Sequence, residues 1–188
     1  MLSHYHGNIF NASELGRSFG ASDTTMRKYL DLLTGTFMVR QLQPWYENIS
    51  KRQVKTPKIY FRDSGILHAL LSIQTNHALQ MHPKIGASWE GFAMEEIIKG
   101  RQANSEDCYF WSTYSEAEID LIIYQQGGLE GFEFKYLDAP KMTKSMQIAL
   151  NDLDLQHITV IYPGDKDYEL SNKISVKGLK NYLENVSS

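Results

Sequence analysis

Three residues, Asp120, Glu133 and Lys135, have the types and spacing to do chemistry together. Glu133 and Lys135 stand two apart in Gly131-Phe-Glu-Phe-Lys-Tyr136, alternating with Phe132 and Phe134, so on a strand both polar side chains take one face. Asp120 lies in Ala117-Glu-Ile-Asp-Leu-Ile-Ile-Tyr124, where Ile119, Leu121 and Ile123 alternate with Asp120 and Ile122. Gln125-Gln-Gly-Gly128 reads as the turn that folds the second segment back on the first. A four-residue loop sets Asp120 opposite Glu133, whereas a loop at 127–128 sets Asp120 opposite Lys135 and Ile122 opposite Glu133. Either register leaves the three polar groups on one face. Two carboxylates that close can hold a hard divalent cation, Mg²⁺ or Mn²⁺, which takes oxygen ligands and keeps several waters. Such a cation lowers the pKa of bound water and clamps a phosphate oxygen. Lys135 can stabilise charge that develops on the phosphate. Glu90 sits at the edge of a helical face made by Trp89, Phe92, Ala93 and Ile97, and is placed to complete or tune the site.

The elements that must position these residues can be read from caps and periodicity. A helix ends at Gly100, a strand runs from Cys108 to Tyr114, the two alternating segments follow, Lys141 to Leu153 reads as a helix, and Ile158 to Tyr162 as a buried strand. The order helix, three strands, helix, strand predicts an α/β (α+β) module with a mixed sheet. Upstream, Asn11-Ala-Ser-Glu14 is a capping-box pattern that opens a short helix ended by Gly20. Ser22 caps a second helix that buries Met26, Leu30 and Leu33 and is stopped by Gly35. Thr24, Arg27 and Lys28 lie near its start, where a recognition helix carries its readers. Strands at Phe37–Leu42 and Lys58–Phe61 around a basic loop complete the pattern of a winged helix-turn-helix. Asp63 caps a short helix, Ile66 to Leu71, and residues 72–86 read as a linker or lid. The expected division is 1–75 for the winged-helix domain and 76–188 for the mixed-sheet domain.

Composition bounds the class. The 188 residues are 42% apolar and 22% charged, an ordinary globular balance. No run approaches the roughly 20 apolar residues of a membrane span. The N-terminus lacks the layout of a signal peptide. One cysteine, Cys108, excludes a disulfide scaffold and a cysteine-based zinc cluster, so the expected compartment is the cytoplasm. Cys108 reads as buried and inert, Trp89 and Trp111 as core, and the scattered His68, His77, His82 and His157 as structural. His4 and His6 lack a third ligand type nearby. The net charge of −3 is uneven: residues 1–80 carry nine Lys/Arg against five Asp/Glu, and residues 81–188 carry ten against 17. Arg40, Lys51, Arg52, Lys55, Lys58 and Arg62 face only Glu47 within their stretch, a basic segment suited to phosphate.

The constellation of Glu90, Glu118-Ile-Asp120 and Glu133-Phe-Lys135, the only acidic-x-Lys triplet in the chain, resembles the PD-(D/E)xK nuclease superfamily with its restriction-endonuclease-like fold, most closely its Holliday-junction-resolvase-like branch. Ile119 stands where the motif name has proline. Asn48-Ile-Ser-Lys-Arg52, Lys55-Thr-Pro-Lys-Ile-Tyr-Phe-Arg-Asp-Ser-Gly65, Gly86-Ala-Ser-Trp-Glu-Gly-Phe92 and Trp111-Ser-Thr-Tyr-Ser-Glu-Ala-Glu-Ile-Asp120 are similar to the C-terminal region, DUF4143, of prokaryotic AAA-type ATPases. That resemblance runs from about Gly7 to Tyr162. It implies a winged helix before a nuclease-like domain, Asp120, Glu133, Lys135 and Glu90 as catalytic positions, Asp120 and Glu133 as ligands for Mg²⁺ or Mn²⁺, and an ATPase module on the same parent chain. No G-x-x-x-x-G-K-[ST] occurs, so no ATP site or ATPase activity is expected of this chain alone, which reads as the C-terminal part of a longer ATPase. Two functions stand side by side. One is a DNA- or partner-binding module using Thr24, Arg27, Lys28, Lys51, Arg52 and Lys55, with room for self-association and no membrane. The other is a Mg²⁺-dependent DNA endonuclease using Asp120, Glu133 and Lys135.

Overall fold

The computed structural model describes residues 1–46, 54–114 and 117–186, which divide into two compact units. The units do not follow a single cut: the first takes residues 1–42 and 56–92, the second residues 43–55 and 93–188.

The first unit begins with a 3-10 turn, Leu2–Tyr5, and strand β1, Asn8–Ile9. Helix α1, Ala12–Phe19, starts where the Asn11 side chain accepts the Glu14 N–H, and ends at Gly20 in the left-handed region. Helix α2, Asp23–Gly35, starts where Ser22 accepts the Thr25 N–H. Gly35 is helical rather than a stop, because Phe37, at φ 60°, takes the left-handed position instead. Strands β2, Val39–Pro44, and β3, Lys58–Phe61, pair antiparallel with Val39 opposite Phe61, and β1 adds to the far side of β3. Helix α3, Ser64–Leu70, is capped by Asp63. The segment expected as a linker holds its own helix α4, Asn76–Gln80, capped by Thr75. Helix α5, Ile85–Gly100, begins four residues before Trp89. Phe10, Leu15, Met26, Leu30, Val39, Ile59, Phe61 and Leu67 form the core of this unit, since these positions are what the caps and periods turn inward.

The second unit has a mixed sheet. Strands β4, Cys108–Ser112, β5, Glu118–Gln125, and β6, Gly128–Phe134, run antiparallel in sequence. Helix α6, Lys144–Asp152, then carries the chain over to β7, His157–Tyr162, parallel to β6. Gln43 and Pro44 pair parallel with β4 at the other end. Beyond the elements read from sequence lie β8, Tyr168–Ser171, β9, Ile174–Gly178, and helix α7, Leu179–Val186, with β9 between β7 and β8. The fold is α+β, with seven α-helices among the described residues. Ile119 to Ile123 are buried at every position, the signature of a strand covered on both faces. Simple alternation fails in β5: the β4 pairing slips between Tyr109 opposite Ile122 and Trp111 opposite Ile119, so Ile119 and Ile122 share one core cluster with Met146, Leu155, Ile158 and Val160.

Candidate functional site

The hairpin β5–β6 makes the site. Gln126 and Gly127, at φ 53° and 77°, form the two-residue turn whose twist suits adjoining strands, and Gln125 pairs with Gly128. The ladder then runs through Ile122 opposite Gly131 to Leu121 opposite Phe132. Continued by one residue, this register brings Asp120 against Glu133, the four-residue-loop alternative of the sequence. Past Leu121 a side chain replaces the ladder: Asp120 Oδ2 accepts the Phe134 N–H at 2.9 Å. Lys135 keeps β6 in the sheet by donating its backbone N–H to Ile161 O at 3.0 Å. The same stretch of β5 is gripped from α6, where Ser145 Oγ accepts the Glu118 N–H and donates to Glu118 O, both at 2.6 Å.

Asp120, Glu133 and Lys135 meet at this point. Lys135 Nζ is 2.5 Å from Glu133 Oε2 and 3.8 Å from Asp120 Oδ2. The carboxylates are inside the protein, Asp120 7% and Glu133 4% exposed, while the lysine side chain is 32% exposed and forms the outer wall. Burial, and the Asp120 charge beside it, push the Glu133 carboxyl up to about 8 against the pull of Lys135, with Glu118 adding to the rise. The pair presents oxygen ligands that share one ammonium, that of Lys135. That fits a small hard cation, which needs only one or two protein carboxylates when phosphate and water fill the remaining positions. Among the described residues no group of three or more His, Cys, Asp or Glu forms a closed metal cage.

The other sequence candidates belong to other elements. Glu90 belongs to the first unit, where it accepts the Tyr60 hydroxyl at 2.5 Å. Thr24, Arg27 and Lys28 are exposed, three and four residues apart on α2, so they share a face. Lys55 is exposed in the second unit, and Lys51 and Arg52 lie outside the described residues. Two charges of the Arg40–Arg62 run are not surface charges: Arg40 and Lys58 are each 5% exposed, because they sit in the β2–β3 ladder.

Sequence reasoning missed His6. Its ring is buried, Nδ1 accepts the Phe61 N–H, and Nε2 contacts Ala87 O, both at 3.0 Å, which selects the neutral ring with the proton on Nε2. A Cβ on Gly91 would lie 2.4 Å from that nitrogen, so the glycine of Trp89-Glu-Gly-Phe92 is required for α5 to pass His6. The sequence signal was there, as a glycine inside a helix.

Comparison with known proteins gives two family matches that run consecutively along the chain. A family model described as a domain of unknown function, DUF4143, matches residues 85–182, and another, DUF8612, matches residues 1–77. Two curated relatives, the uncharacterized proteins Rv2008c of Mycobacterium tuberculosis and Mb2031c of Mycobacterium bovis, are each 46% identical over 174 residues. The match covers 93% of this chain and spans 39% of the length of each relative. No solved structure gives a significant match.

Proposed function

Because the chain belongs to the DUF4143 family, whose model covers more than half of it, and because its sheet draws two buried carboxylates and a lysine to one point, we infer that it is a nucleic-acid-binding module with a divalent-cation site for phosphodiester chemistry. The observation that carries this is the bridge from Lys135 to both Asp120 and Glu133 where the β5–β6 ladder ends. In this reading Asp120 and Glu133 hold Mg²⁺ or Mn²⁺, which supplies Lewis acidity toward a phosphate oxygen. Asp120 is aimed by the Phe134 N–H, and Ser145 fixes the strand two residues before it. Lys135, at the exposed side, turns its ammonium to the charge that grows on the phosphate.

The wider reading has the same status. The α1–α2 pair with β2 and β3 serves as a winged helix that meets DNA through Thr24, Arg27 and Lys28. The sequence α5, β4, β5, β6, α6, β7 serves as the restriction-endonuclease-like core. An ATPase module on the same parent chain, work in the cytoplasm and self-association belong to this reading. No helix among the described residues is long and apolar enough to cross a membrane.

A second reading, a binding scaffold without cleavage, is favoured by one observation: Glu133 is 4% exposed and held at 2.5 Å by Lys135. Thermal unfolding with and without Mn²⁺ separates the two. A cation at 100 times its Kd stabilises the folded state by about 2.7 kcal/mol. The expected result is a rise in Tm for the wild type, no rise for Asp120→Asn, and a retained rise for Lys135→Ala with DNA cleavage slowed roughly 100- to 1,000-fold. No Tm change with Mn²⁺, alongside intact DNA binding, selects the scaffold.

A further inference from the structure

We propose that Trp45, Tyr109 and Tyr124 of the second unit form a stacking platform for the unpaired bases of single-stranded nucleic acid, with Lys55 as a phosphate contact. The proposal rests on the nucleic-acid reading of this unit and adds the substrate class.

Tyr109 and Tyr124 come from β4 and β5 and Trp45 follows the end of β2, yet the three rings gather at one place. The Trp45 ring meets Tyr109 edge-on, centroids 4.9 Å apart and planes at 72°. It lies nearly parallel to Tyr124, at 26° and 6.4 Å. Backbone bonds tie two residues to β4: Trp45 N–H donates to Phe110 O at 2.6 Å, and Val54 N–H donates to Ser112 O at 3.0 Å. The platform is therefore built on the sheet, which holds its rings without further ordering when a base arrives. Tyr124 is 46% exposed although its neighbours Ile122 and Ile123 are fully buried, so β5 leaves the core at this residue and turns an aromatic ring to solvent.

The chemistry of the rings selects the occupant. Trp45 and Tyr109 are half-buried and pack against the core, which fixes them, and Tyr124 is the ring turned to solvent; flat π faces with polar edges suit bases of any sequence. The charge agrees: Lys55, next to the anchored Val54, is exposed. Position agrees as well. Tyr124 lies four residues along β5 from Asp120, about 13 Å at the rise of a strand.

The test is fluorescence anisotropy of a short fluorescein-labelled oligothymidylate with the 188-residue chain, in EDTA at low salt, so that failure of the cation site does not enter. The wild type is expected to bind the single strand and to lose part of its tryptophan emission on binding. Tyr124→Ala and Trp45→Ala should each weaken binding roughly 5- to 150-fold, the effect of losing one stacked base. Tyr124→Phe should bind as the wild type does, since it keeps the π face. Unchanged circular dichroism shows that the variants fold, as the exposure of Tyr124 leads one to expect. A wild type that leaves the oligothymidylate free overturns the proposal and hands the surface to a protein partner. Alanine variants that bind with wild-type affinity overturn it too, even when the cation raises the Tm.

Discussion

At the scale of the residue, His6 shows how burial and hydrogen bonding set a property that sequence position alone does not reveal. Burial holds its pKa down to about 4, Lys84 and His68 press it the same way, and only the bond to Ala87 O opposes them. Protonation at Nδ1 would also set a donor against the Phe61 N–H that this nitrogen accepts. The sign follows. Between pH 6.5 and 4 the unfolded chain takes up a proton that the folded chain refuses, so stability is fully present above 6.5 and is lost as pH falls toward 4. The loss should reach roughly 3 kcal/mol, the equivalent of the whole shift. Urea unfolding between pH 7 and 4.5 is expected to show this slope in the wild type and a flatter one in His6→Gln. Parallel curves would contradict the assignment. The three residues of the candidate site were legible in the sequence, because Glu133 and Lys135 alternate with phenylalanines and a short turn admits only two registers. Which register forms was not legible, since it depends on whether the left-handed pair is Gln126-Gly127 or Gly127-Gly128.

Elements report where local signals were sufficient and where packing overrode them. Caps at Asn11, Ser22, Asp63 and Thr143 lie where helices begin, as side-chain acceptors for free N–H groups require. The final segments escaped because β8 has only four residues, none of them fully buried, and α7 alternates Leu179, Tyr182 and Leu183 with charged and amide side chains over little more than two turns. The bulge in β5 escaped for another reason: one extra residue in β5 against its partner strand leaves no mark on composition. Glycines give this scale its test. A Cβ at Gly16 would lie 2.6 Å from the Ala21 carbonyl oxygen, which belongs to the backbone of the turn into α2 and cannot yield. Gly35, helical and with nothing within 4 Å of its added Cβ, is free of such a clash. Gly16→Ala should destabilise by about 1–3 kcal/mol, and Gly35→Ala should stabilise by about 0.4–1 kcal/mol. Urea midpoints of the two variants check both signs, and a neutral Gly16→Ala would show that the turn between α1 and α2 is looser than the structure has it.

For the whole molecule, the uneven charge of the sequence becomes a division of labour only if the acidic second unit keeps its carboxylates for a cation. Six positive charges between Arg40 and Arg62 looked like one basic surface, but the ladder buries Arg40 and Lys58, which leaves fewer charges for phosphate than a count along the chain implies. The contact-defined units also explain why a single boundary was hard to read: residues 43–55 leave the first unit to join the second, and α5 passes from one to the other without a break. What the sequence could show was the order of elements; what it could not show was the exchange of a segment, because pairing of Gln43 and Pro44 with β4 joins residues more than sixty apart along the chain. The central claim is that Asp120 and Glu133 hold one divalent cation. Anomalous X-ray scattering from crystals grown in Mn²⁺ tests it most directly. A single Mn²⁺ peak is expected within oxygen-ligand distance of both carboxylates, with the Lys135 ammonium moved off Glu133 toward solvent. Lys135 still bridging the two carboxylates at saturating Mn²⁺, with no peak between them, would contradict it.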